Sequence, residues 1–517
     1  MVRLAAPDQY FGGAKVHSRA LFGLDAHAVQ VECHVTSGLP GTTVVGLPQG
    51  SVREARDRVR SAIEHLGFSY PDTSVVFNLA PAQISKAGTS LDLPMAISLL
   101  VASGQLPQAG LHQFEFVGEL GLFGELRPIP GVVACVLAAQ QMDRNIVLPQ
   151  GNQQEAMLLQ TGNTHLASDL GAVTELLSHG QLPAAPAQPP AQMPAQPAIP
   201  NQIVGQPAAK RALAVAAAGG HHLLMIGPPG TGKTLLAQNL RCLLPAMTRQ
   251  QVIDVAGIYS ASGLSRNNYQ APPFRAPHHS ASSAALIGGG NPPTPGELVL
   301  AHHGVLFLDE LPHFKPSALN LMREPLESGR AEISRASYKV SYPCRFQLIA
   351  AMNPCPAGRS CREHACRCDP LTVRRYQSRI SGPILDRIDL HVRVAELDAK
   401  VLVQLRDDAP TDWDVLRQQV GHAQAIAKKR QQHLNVFLST KQVQQQMARA
   451  DVDQSFLDRA IQRYQLSARS YHKLWRIART IADLECASGG LDEPQPIQQA
   501  HLAEALSYRA LDWEAGV

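Results

Sequence analysis

The chain has 517 residues, enough for about three domains that each bury a core of their own. Hydrophobic residues make up 45% and charged residues 17% of it, the composition of an ordinary globular protein. We expect a cytoplasmic protein, because no apolar run could cross a membrane and the first residues lack a signal peptide's apolar core. The net charge of +4 does not identify a nucleic-acid partner, although positions 359–393 hold eight arginines against four acidic residues.

The N-terminal part, residues 1–180, has the pattern of a mixed α+β domain. Runs of β-forming residues at 29–35, 74–79 and 145–148 predict strands, and the apolar spacing at 52–66 predicts an amphipathic helix. We therefore expect a folded domain here.

Two segments of this domain, 88–96 and 118–131, resemble the proteolytic domain of Lon. The resemblance places Ser90 at the position of that family's nucleophile. Such a serine needs a partner base, which is a lysine in that family, and the matching position here is Val133. Because a valine cannot take a proton, we interpret the domain as Lon-like in fold and without protease chemistry, with an active peptidase as the alternative.

Residues 181–200 form the clearest boundary in the chain. Seven prolines stand among alanines and glutamines there, a composition that favours an extended spacer over a packed core. After it we predict a nucleotide-binding domain at 201–400. A helical domain follows at 401–517, because apolar residues recur there at spacings of three and four.

A complete phosphate-binding loop lies between a predicted strand at 222–226 and a predicted helix at 235–240. Backbone amides of such a loop close around phosphate oxygens, and the helix N-terminus favours negative charge. The lysine is expected to reach the β- and γ-phosphates and the last threonine to ligate Mg²⁺. The loop consists of Gly227, Pro228, Pro229, Gly230, Thr231, Gly232, Lys233 and Thr234.

A second nucleotide signal is the apolar run at 304–308, which ends in Asp309 and Glu310. A carboxylate at the end of such a strand suits the Mg²⁺ water shell, a role we assign to Asp309. We expect Glu310 to orient and deprotonate the attacking water.

Several segments together resemble the magnesium-chelatase-like group of AAA+ ATPases that contains the ComM/YifB family. The resemblance implies an α/β phosphate-loop core with a C-terminal helical bundle, and it implies ATP and Mg²⁺ as ligands. Together with the Lon-like domain it covers nearly the whole chain, and its segments are 203–206, 227–234, 274–280, 309–310, 350–354 and 380–389.

The resemblance also assigns roles to single residues. Asn353 corresponds to sensor 1, a polar side chain that helps to place the attacking water. Arg387 corresponds to the arginine finger, which reaches the γ-phosphate held by a neighbouring subunit, and Arg469 corresponds to sensor 2. A finger that acts across an interface requires an oligomer, and the family forms hexameric rings.

Two segments are candidates for elements that face the pore of such a ring. The family carries an inserted loop in the region of His278 and His279, for which we favour a structural or pore-loop role over metal binding. Related helicases place a hairpin where residues 331–342 lie. In it, Arg335 and Lys339 would hold DNA phosphates while Tyr338 touches sugar or base, although an exposed hairpin with ordinary charges has the same pattern.

Four cysteines follow the sensor segment within fourteen residues. Four thiolates suit a tetrahedral structural zinc ion, although their spacing is not a standard zinc motif. Reduced free thiols and a redox role remain alternatives, and Cys344 and His364 are possible replacement ligands. The four candidates are Cys355, Cys361, Cys366 and Cys368.

The function that this resemblance implies is a hexameric, ATP-driven DNA motor. It would catalyse branch migration on single-stranded, duplex or branched DNA during the integration of transforming DNA. The alternative is a chelatase-type motor that remodels a protein partner for metal insertion. The nucleotide motifs do not separate the two, but chelatase motor subunits generally lack the Lon-like domain.

Overall fold

The computed structural model describes residues 12–46, 50–83, 86, 88–179, 203, 205–290, 293–335, 338–358, 368–396, 413–491 and 493–509. They belong to two compact units. The first comprises Met1–Met193, Arg249–Tyr269 and Gly290–Pro295, and the second comprises Pro194–Thr248, Gln270–Gly289 and Gly296–Val517. The proline-rich stretch 181–200 lies outside the described residues. In the described part, no helix combines the length and the apolarity that a membrane span needs.

The first unit contains a mixed seven-stranded sheet in the order β3-β4-β2-β1-β5-β8-β9. β2 pairs antiparallel with β1 and β4, whereas β3–β4, β1–β5, β5–β8 and β8–β9 are parallel. A separate short hairpin joins β6 to β7. The strands are β1 Gly13–Phe22, β2 Asp25–Thr36, β3 Gly41–Val45, β4 Ser74–Ala80, β5 Phe114–Phe116, β6 Glu119–Leu120, β7 Leu126–Arg127, β8 Asn145–Pro149 and β9 Thr164–Ala167.

Helix α2 forms the centre of this unit, because all its residues from Asp92 to Ala102 are buried and it packs on β1 and β2. Helix α8 also belongs to this unit and packs on α3, although its residues fall within the range predicted for the nucleotide-binding domain. The helices are α1 Gly50–His65, α2 Asp92–Ala102, α3 Val132–Gln141, α4 Gln153–Met157, α5 Leu170–His179 and α8 Arg249–Ala261, and the short strand β13 Thr294–Pro295 lies here too.

The second unit is built on a parallel five-stranded sheet in the order β11-β14-β17-β10-β18. Its central strands β10, β14 and β17 are buried throughout, as expected of a parallel sheet that is covered on both faces. An antiparallel hairpin joins β15 to β16. The strands are β10 Leu223–Ile226, β11 Phe274–Arg275, β12 Gly288–Gly289, β14 Val305–Leu308, β15 Arg330–Arg335, β16 Tyr338–Pro343, β17 Gln347–Met352 and β18 Leu390–Arg393.

A continuous apolar core joins this sheet to the C-terminal helices, with Leu213 on α6, Phe307 on β14 and Trp475 on α18 all buried in it. Helix α18 packs against α6, α15, α16 and α19. The helices are α6 Pro207–Gly219, α7 Lys233–Leu243, α9 Ser283–Ile287, α10 Glu297–Leu300, α11 Pro316–Leu321, α12 Arg323–Ser328, α13 Pro370–Gln377, α14 Gly382–Leu385, α15 Trp413–Gln431, α16 Thr440–Ala448, α17 Gln454–Arg463, α18 Ala468–Ser488 and α19 Gln499–Ser507.

The predicted fold class is confirmed: the structure is mixed α/β, with a parallel sheet and a C-terminal helical region. The strands expected at 29–35, 74–79 and 145–148 are parts of β2, β4 and β8, and the helix expected at 52–66 is α1 with its bounds shifted toward the N-terminus. Periodicity identified these elements because each buries one side or lies wholly in a core.

Candidate nucleotide-binding site

The glycine-rich loop joins the end of β10 to the start of α7, which begins at Lys233. Gly230 and Gly232 have φ angles of 86° and 87°, in the left-handed region that residues with a Cβ rarely adopt. The Thr231 hydroxyl donates to the Pro228 carbonyl over 2.9 Å. The loop therefore has a defined conformation that leads directly into the first turn of α7, where the Leu236 amide donates to the Gly232 carbonyl over 2.9 Å.

Lys233 is the buried cation of this loop, with 8% of its surface exposed. Its Nζ donates to the carbonyls of Gly227 and Pro228, each over 2.8 Å, and lies 3.3 Å from Asn353 Oδ1. Burial lowers the pKa of the ammonium, while the charges of Asp309 and Glu310 oppose this. The lysine is thus positioned by neutral oxygens, and charged phosphate oxygens would be stronger acceptors.

Thr234 and Asp309 meet although they are far apart in the chain. The Thr234 hydroxyl donates to Asp309 Oδ2 over 2.8 Å, because β10 and β14 flank β17 in the parallel sheet and end at the same edge. A hydroxyl and a carboxylate at this edge are oxygen ligands of the kind that Mg²⁺ takes in phosphate-loop proteins. The two residues therefore fit the metal-binding role predicted for them.

Glu310 follows Asp309 in a left-handed backbone conformation, with a φ of 51°. Its amide donates to Asp309 Oδ1 over 2.9 Å. A left-handed glutamate is uncommon, and such strain is concentrated at functional sites. The turn separates the two carboxylates, so that Asp309 faces Thr234 while the Glu310 side chain stays exposed to water.

Asn353 directly follows β17, whose last residue Met352 pairs in register with Ile226 of β10. This register brings the Asn353 amide to Lys233. The backbone N–H of Asn353 donates to the Tyr376 hydroxyl. Burial raises the pKa of that phenol to about 12, and this hydrogen bond opposes the rise. Two separate contacts thus fix the residue that the family resemblance assigns to water positioning.

The structure places Arg387 and Arg469 together and away from the glycine-rich loop. Arg387 Nη2 lies 2.8 Å from Glu327 Oε1, and an Arg469 guanidinium nitrogen donates to the same oxygen. Burial disfavours the charged carboxylate, but hydrogen bonds from Arg469 and Arg387 hold the pKa of Glu327 below its usual value. In the described part of the chain, no hydrogen bond or ion pair joins either arginine to residues 227–234.

No sequence pattern marks Glu327, which lies on α12 outside the segments that carry the family resemblance. Asp389, two residues after Arg387, was likewise not predicted to have a role. The side chain of Asp389 is only 7% exposed, accepts from the His222 amide over 3.1 Å and pairs with Lys473 of α18 at 2.9 Å. Its position within the matched segment 380–389 was the only available signal. The pair fixes the arginine-bearing segment to the C-terminal helices.

His279 makes a contact that the sequence did not predict, because its Nδ1 lies 3.5 Å from Glu310 Oε2. The neighbouring His278 instead shares a hydrogen bond of 2.8 Å with the Ser280 hydroxyl. Arg275, at the end of β11, is held by Glu297 through two hydrogen bonds of 2.6 Å. The segment 274–280 therefore lies beside the proposed base, and its pore-loop role remains a prediction.

The hairpin candidate is formed as predicted by β15 and β16, in a register that places Arg335 opposite Tyr338 and Ser334 opposite Lys339. Arg335 is exposed, and Tyr338 is half-buried. Lys339 is 67% exposed and lies 3.0 Å from Glu332 Oε2. Two basic side chains are thus accessible near the end of the hairpin, and its residues 336–337 lie outside the described residues.

The cysteine group is only partly described. Cys355 is buried and Cys368 half-buried, and neither forms a disulfide, while Cys361, Cys366 and His364 lie outside the described residues. Cys344 is fully buried, and burial raises the pKa of its thiol to about 12. A neutral thiol in such an environment is a poor metal ligand, which argues against Cys344 as a replacement ligand.

In the first unit, Val133 is fully buried in the first turn of α3. The Gly131 amide before it donates to the Ser260 carbonyl over 2.8 Å, and Ser260 Oγ bonds to Glu155 over 2.9 Å. Helix α8 thus covers the position at which a Lon-type base would stand. Ser90 is half-buried, and its carbonyl accepts from Gly118.

Three protein-family models match the chain. The model described as magnesium chelatase, subunit ChlI, matches residues 200–402. The model of subunit ChlI of Mg-chelatase matches residues 31–152, and that of the magnesium chelatase subunit ChlI C-terminal region matches residues 412–509.

Some relatives match over nearly the whole chain, and another matches over less than half of it. Competence protein ComM of Haemophilus influenzae is 45% identical over 510 residues, which cover 96% of this chain and 97% of that protein. YifB of Escherichia coli is 42% identical over 499 residues, with 96% and 97% covered. The magnesium-chelatase 38 kDa subunit of Acidiphilium rubrum is 27% identical over 237 residues, 40% of this chain and 62% of that subunit.

Proposed function

This chain belongs to the ComM/YifB family of magnesium-chelatase-like proteins, and from this we propose that it is a hexameric, ATP-driven DNA motor with a role in competence. Its most specific activity would be branch migration during the integration of incoming DNA. The observation that carries the proposal is the joint arrangement of Lys233, Thr234, Asp309 and Asn353 in a chain that matches a competence protein over nearly its full length.

The nucleotide chemistry follows from the side chains at the sheet edge. Lys233 would exchange its carbonyl partners for phosphate oxygens, and Thr234 and Asp309 would hold Mg²⁺, which offsets charge on the phosphates. Glu310 would take a proton from the attacking water while Asn353 keeps that water in line. Arg387 of the adjacent subunit would stabilise the charge that builds up in the transition state.

A ring explains why Arg387 and Arg469 lie away from the loop of their own chain. An arginine that serves the nucleotide of a neighbour has to stand at the subunit interface, not beside its own Lys233. The test mixes two inactive variants, Arg387→Ala and Glu310→Gln. If the finger acts between subunits, the mixture recovers part of the ATPase activity, because intact loops then meet intact arginines. A mixture as inactive as its components contradicts the interface role.

The contact with DNA is proposed for the β15–β16 hairpin, where Arg335 and Lys339 are exposed. Hydrolysis around the ring would move these cations along the phosphate backbone, so binding should tolerate any base sequence and weaken as salt rises.

The decisive experiment measures the ATPase rate with no DNA and with single-stranded, duplex or branched DNA, and Glu310→Gln serves as the inactive control. A DNA motor is stimulated by at least one DNA form, and Arg335→Ala lowers both this stimulation and branch migration. The proposal would be contradicted if no DNA changed the ATPase rate and if Arg335→Ala left branch migration unaltered.

The alternative is a chelatase-type motor that remodels a protein partner. The matches to models of magnesium chelatase subunit ChlI favour this candidate, since they span the nucleotide-binding and C-terminal regions. Stimulation of the ATPase by a protein fraction, with no response to DNA, would select it.

We also propose a structural zinc ion held by the cysteines at positions 355, 361, 366 and 368. Cys355 and Cys368 form no disulfide, and cysteine thiolates are the usual ligands of structural zinc. Metal analysis of the purified chain should find about one zinc per chain, and Cys361→Ser should remove it. An unchanged zinc content in that variant would contradict the site.

A further inference from the structure

Two arginines from distant parts of the chain converge on one carboxylate oxygen. Arg387 Nη2 lies 2.8 Å from Glu327 Oε1, and Arg469 donates to the same atom. Two further nitrogens of Arg387 are engaged, Nε with the Arg323 carbonyl at 3.0 Å and Nη1 with the Pro383 carbonyl at 2.5 Å. Only 9% of the Arg387 side chain is exposed. In this conformation each nitrogen of the guanidinium already has an acceptor, so a phosphate would have to displace at least one of them to bind in a bidentate manner.

The surroundings of Glu327 carry several further positive charges. Glu327, Arg387 and Arg469 line a cavity of about 610 Å³ in the second unit, which Arg345, Lys473 and Arg476 line as well. The Glu327 side chain is 46% exposed and stands on α12, whereas Lys473 is already paired with Asp389. Among the described residues, Glu327 is the carboxylate that forms an ion pair with both arginines. Its departure would remove that shared negative charge from between two guanidinium groups.

A carboxylate and a phosphate compete for the same edge of a guanidinium, because both present paired anionic oxygens. The phosphate carries more charge and more acceptor oxygens, so it can displace a half-exposed carboxylate. We propose that Glu327 takes the place of the γ-phosphate in the free chain, where its carboxylate binds Arg387 and Arg469. Glu327 releases both arginines when a neighbouring subunit presents a nucleoside triphosphate. This inference rests on the proposed function, in which both arginines serve the neighbour's site.

The arrangement makes ring assembly depend on the nucleotide. While Glu327 holds the arginines, the interface lacks its strongest attraction for the neighbour's nucleotide. A triphosphate reaches this carboxylate's position, whereas a diphosphate lacks the terminal group that would replace it. Each subunit would then engage its neighbour only in the triphosphate state.

The test compares Glu327→Gln with Glu324→Gln, a matched change on the exposed first turn of the same helix. The specific ATPase rate is measured as a function of protein concentration at saturating ATP. An exposed ion pair contributes up to about 1 kcal/mol, so releasing the arginines should lower the half-maximal protein concentration about fivefold. Glu324→Gln should leave that concentration at the wild-type value.

The proposal is overturned if the half-maximal protein concentration of Glu327→Gln equals or exceeds that of the wild type. A lower maximal ATPase rate without a change in this concentration overturns it as well. Glu327→Ala must move the concentration in the same direction, and far-UV circular dichroism confirms that each variant is folded. Arg387→Ala separates the two levels of inference. If it keeps full ATPase activity, the proposed function fails. If it is inactive while Glu327→Gln matches the wild type, only the role of Glu327 fails.

Discussion

The ammonium of Lys233 lies 3.3 Å from the amide oxygen of Asn353, which joins the phosphate-binding loop to the tip of β17. The two residues are 120 positions apart and meet because β10 and β17 are parallel neighbours. The Asn353 amide therefore lies beside the lysine that is predicted to reach the γ-phosphate. The contact couples the binding loop to the residue proposed to place the water.

This contact predicts that Asn353→Ala lowers kcat for ATP hydrolysis about 10- to 100-fold, with a much smaller change in KM. The physical reason is that the amide acts on the water and the transition state more than on bound ATP. Steady-state ATPase kinetics measure both constants. Gln377→Ala is the control, because Gln377 bonds to the Pro354 carbonyl in the same loop without touching Lys233. Equal losses in both variants would indicate a loosened loop instead.

Glu310→Gln should retain ATP binding and lose at least about 100-fold in kcat, because an amide cannot take the proton of the attacking water. Its size and its left-handed backbone are preserved, so binding through Lys233 and Thr234 stays intact. Fluorescent-nucleotide titration measures the affinity, and single-turnover hydrolysis measures the rate. A variant that hydrolyses ATP within tenfold of the wild-type rate would exclude Glu310 as the base.

Asp389→Asn should lower the free energy of unfolding by about 3 kcal/mol at pH 7, because it leaves the ammonium of Lys473 without its buried partner. Burial alone would raise the pKa of Asp389, but the positive charge of Lys473 beside it holds the pKa well below 3.8. The carboxylate therefore stabilises the fold fully above the unfolded-state pKa of about 3.8, and this contribution is lost as the pH falls through the lower folded-state pKa.

Urea unfolding at pH 7, 5 and 4 measures the difference in the free energy of unfolding between wild type and Asp389→Asn. We expect the same difference at pH 7 and pH 5, and a decrease only below about pH 4. A difference that already vanishes between pH 7 and pH 5 would contradict a lowered pKa for Asp389.

Arg335→Ala and Lys339→Ala should each weaken DNA binding alike for all sequences and reduce the salt slope of the affinity by about one. Each variant removes one phosphate contact from the exposed hairpin. Fluorescence anisotropy with single-stranded and duplex DNA at several salt concentrations gives the slope. Arg56→Ala, an exposed change on α1, is the control. An unchanged slope in both hairpin variants would rule out phosphate contacts there.

Replacing the missing base should not create a peptidase. Val133→Lys would place an ammonium in a fully buried position and destabilise the first unit by about 3 kcal/mol or more. Gln140→Lys, at the exposed end of the same helix, should have no comparable effect. Thermal unfolding measures both, and a casein assay should find no degradation by the wild type. Casein degradation that Ser90→Ala abolishes would revive the protease alternative.

The sequence alone determined the parts of this protein that depend on local order. The glycine-rich loop, the strand that ends in Asp309 and Glu310, and the amphipathic C-terminal helices were all predicted at their positions. Loop conformation and strand or helix periodicity are encoded within short windows, because glycine placement and apolar spacing set them directly. The family resemblance then added roles for Asn353, Arg387 and Arg469, which stay predictions.

Only the tertiary structure decided which distant residues meet. Arg387 and Arg469 share Glu327, and Arg469 is 142 positions away from that glutamate. Helix α8 packs with the first unit although its neighbours in the chain belong to the second. No sequence window contains such information, because these contacts depend on how α12, α18 and the sheet pack as a whole. A half-exposed glutamate on a short helix has no distinctive pattern until two arginines are folded against it.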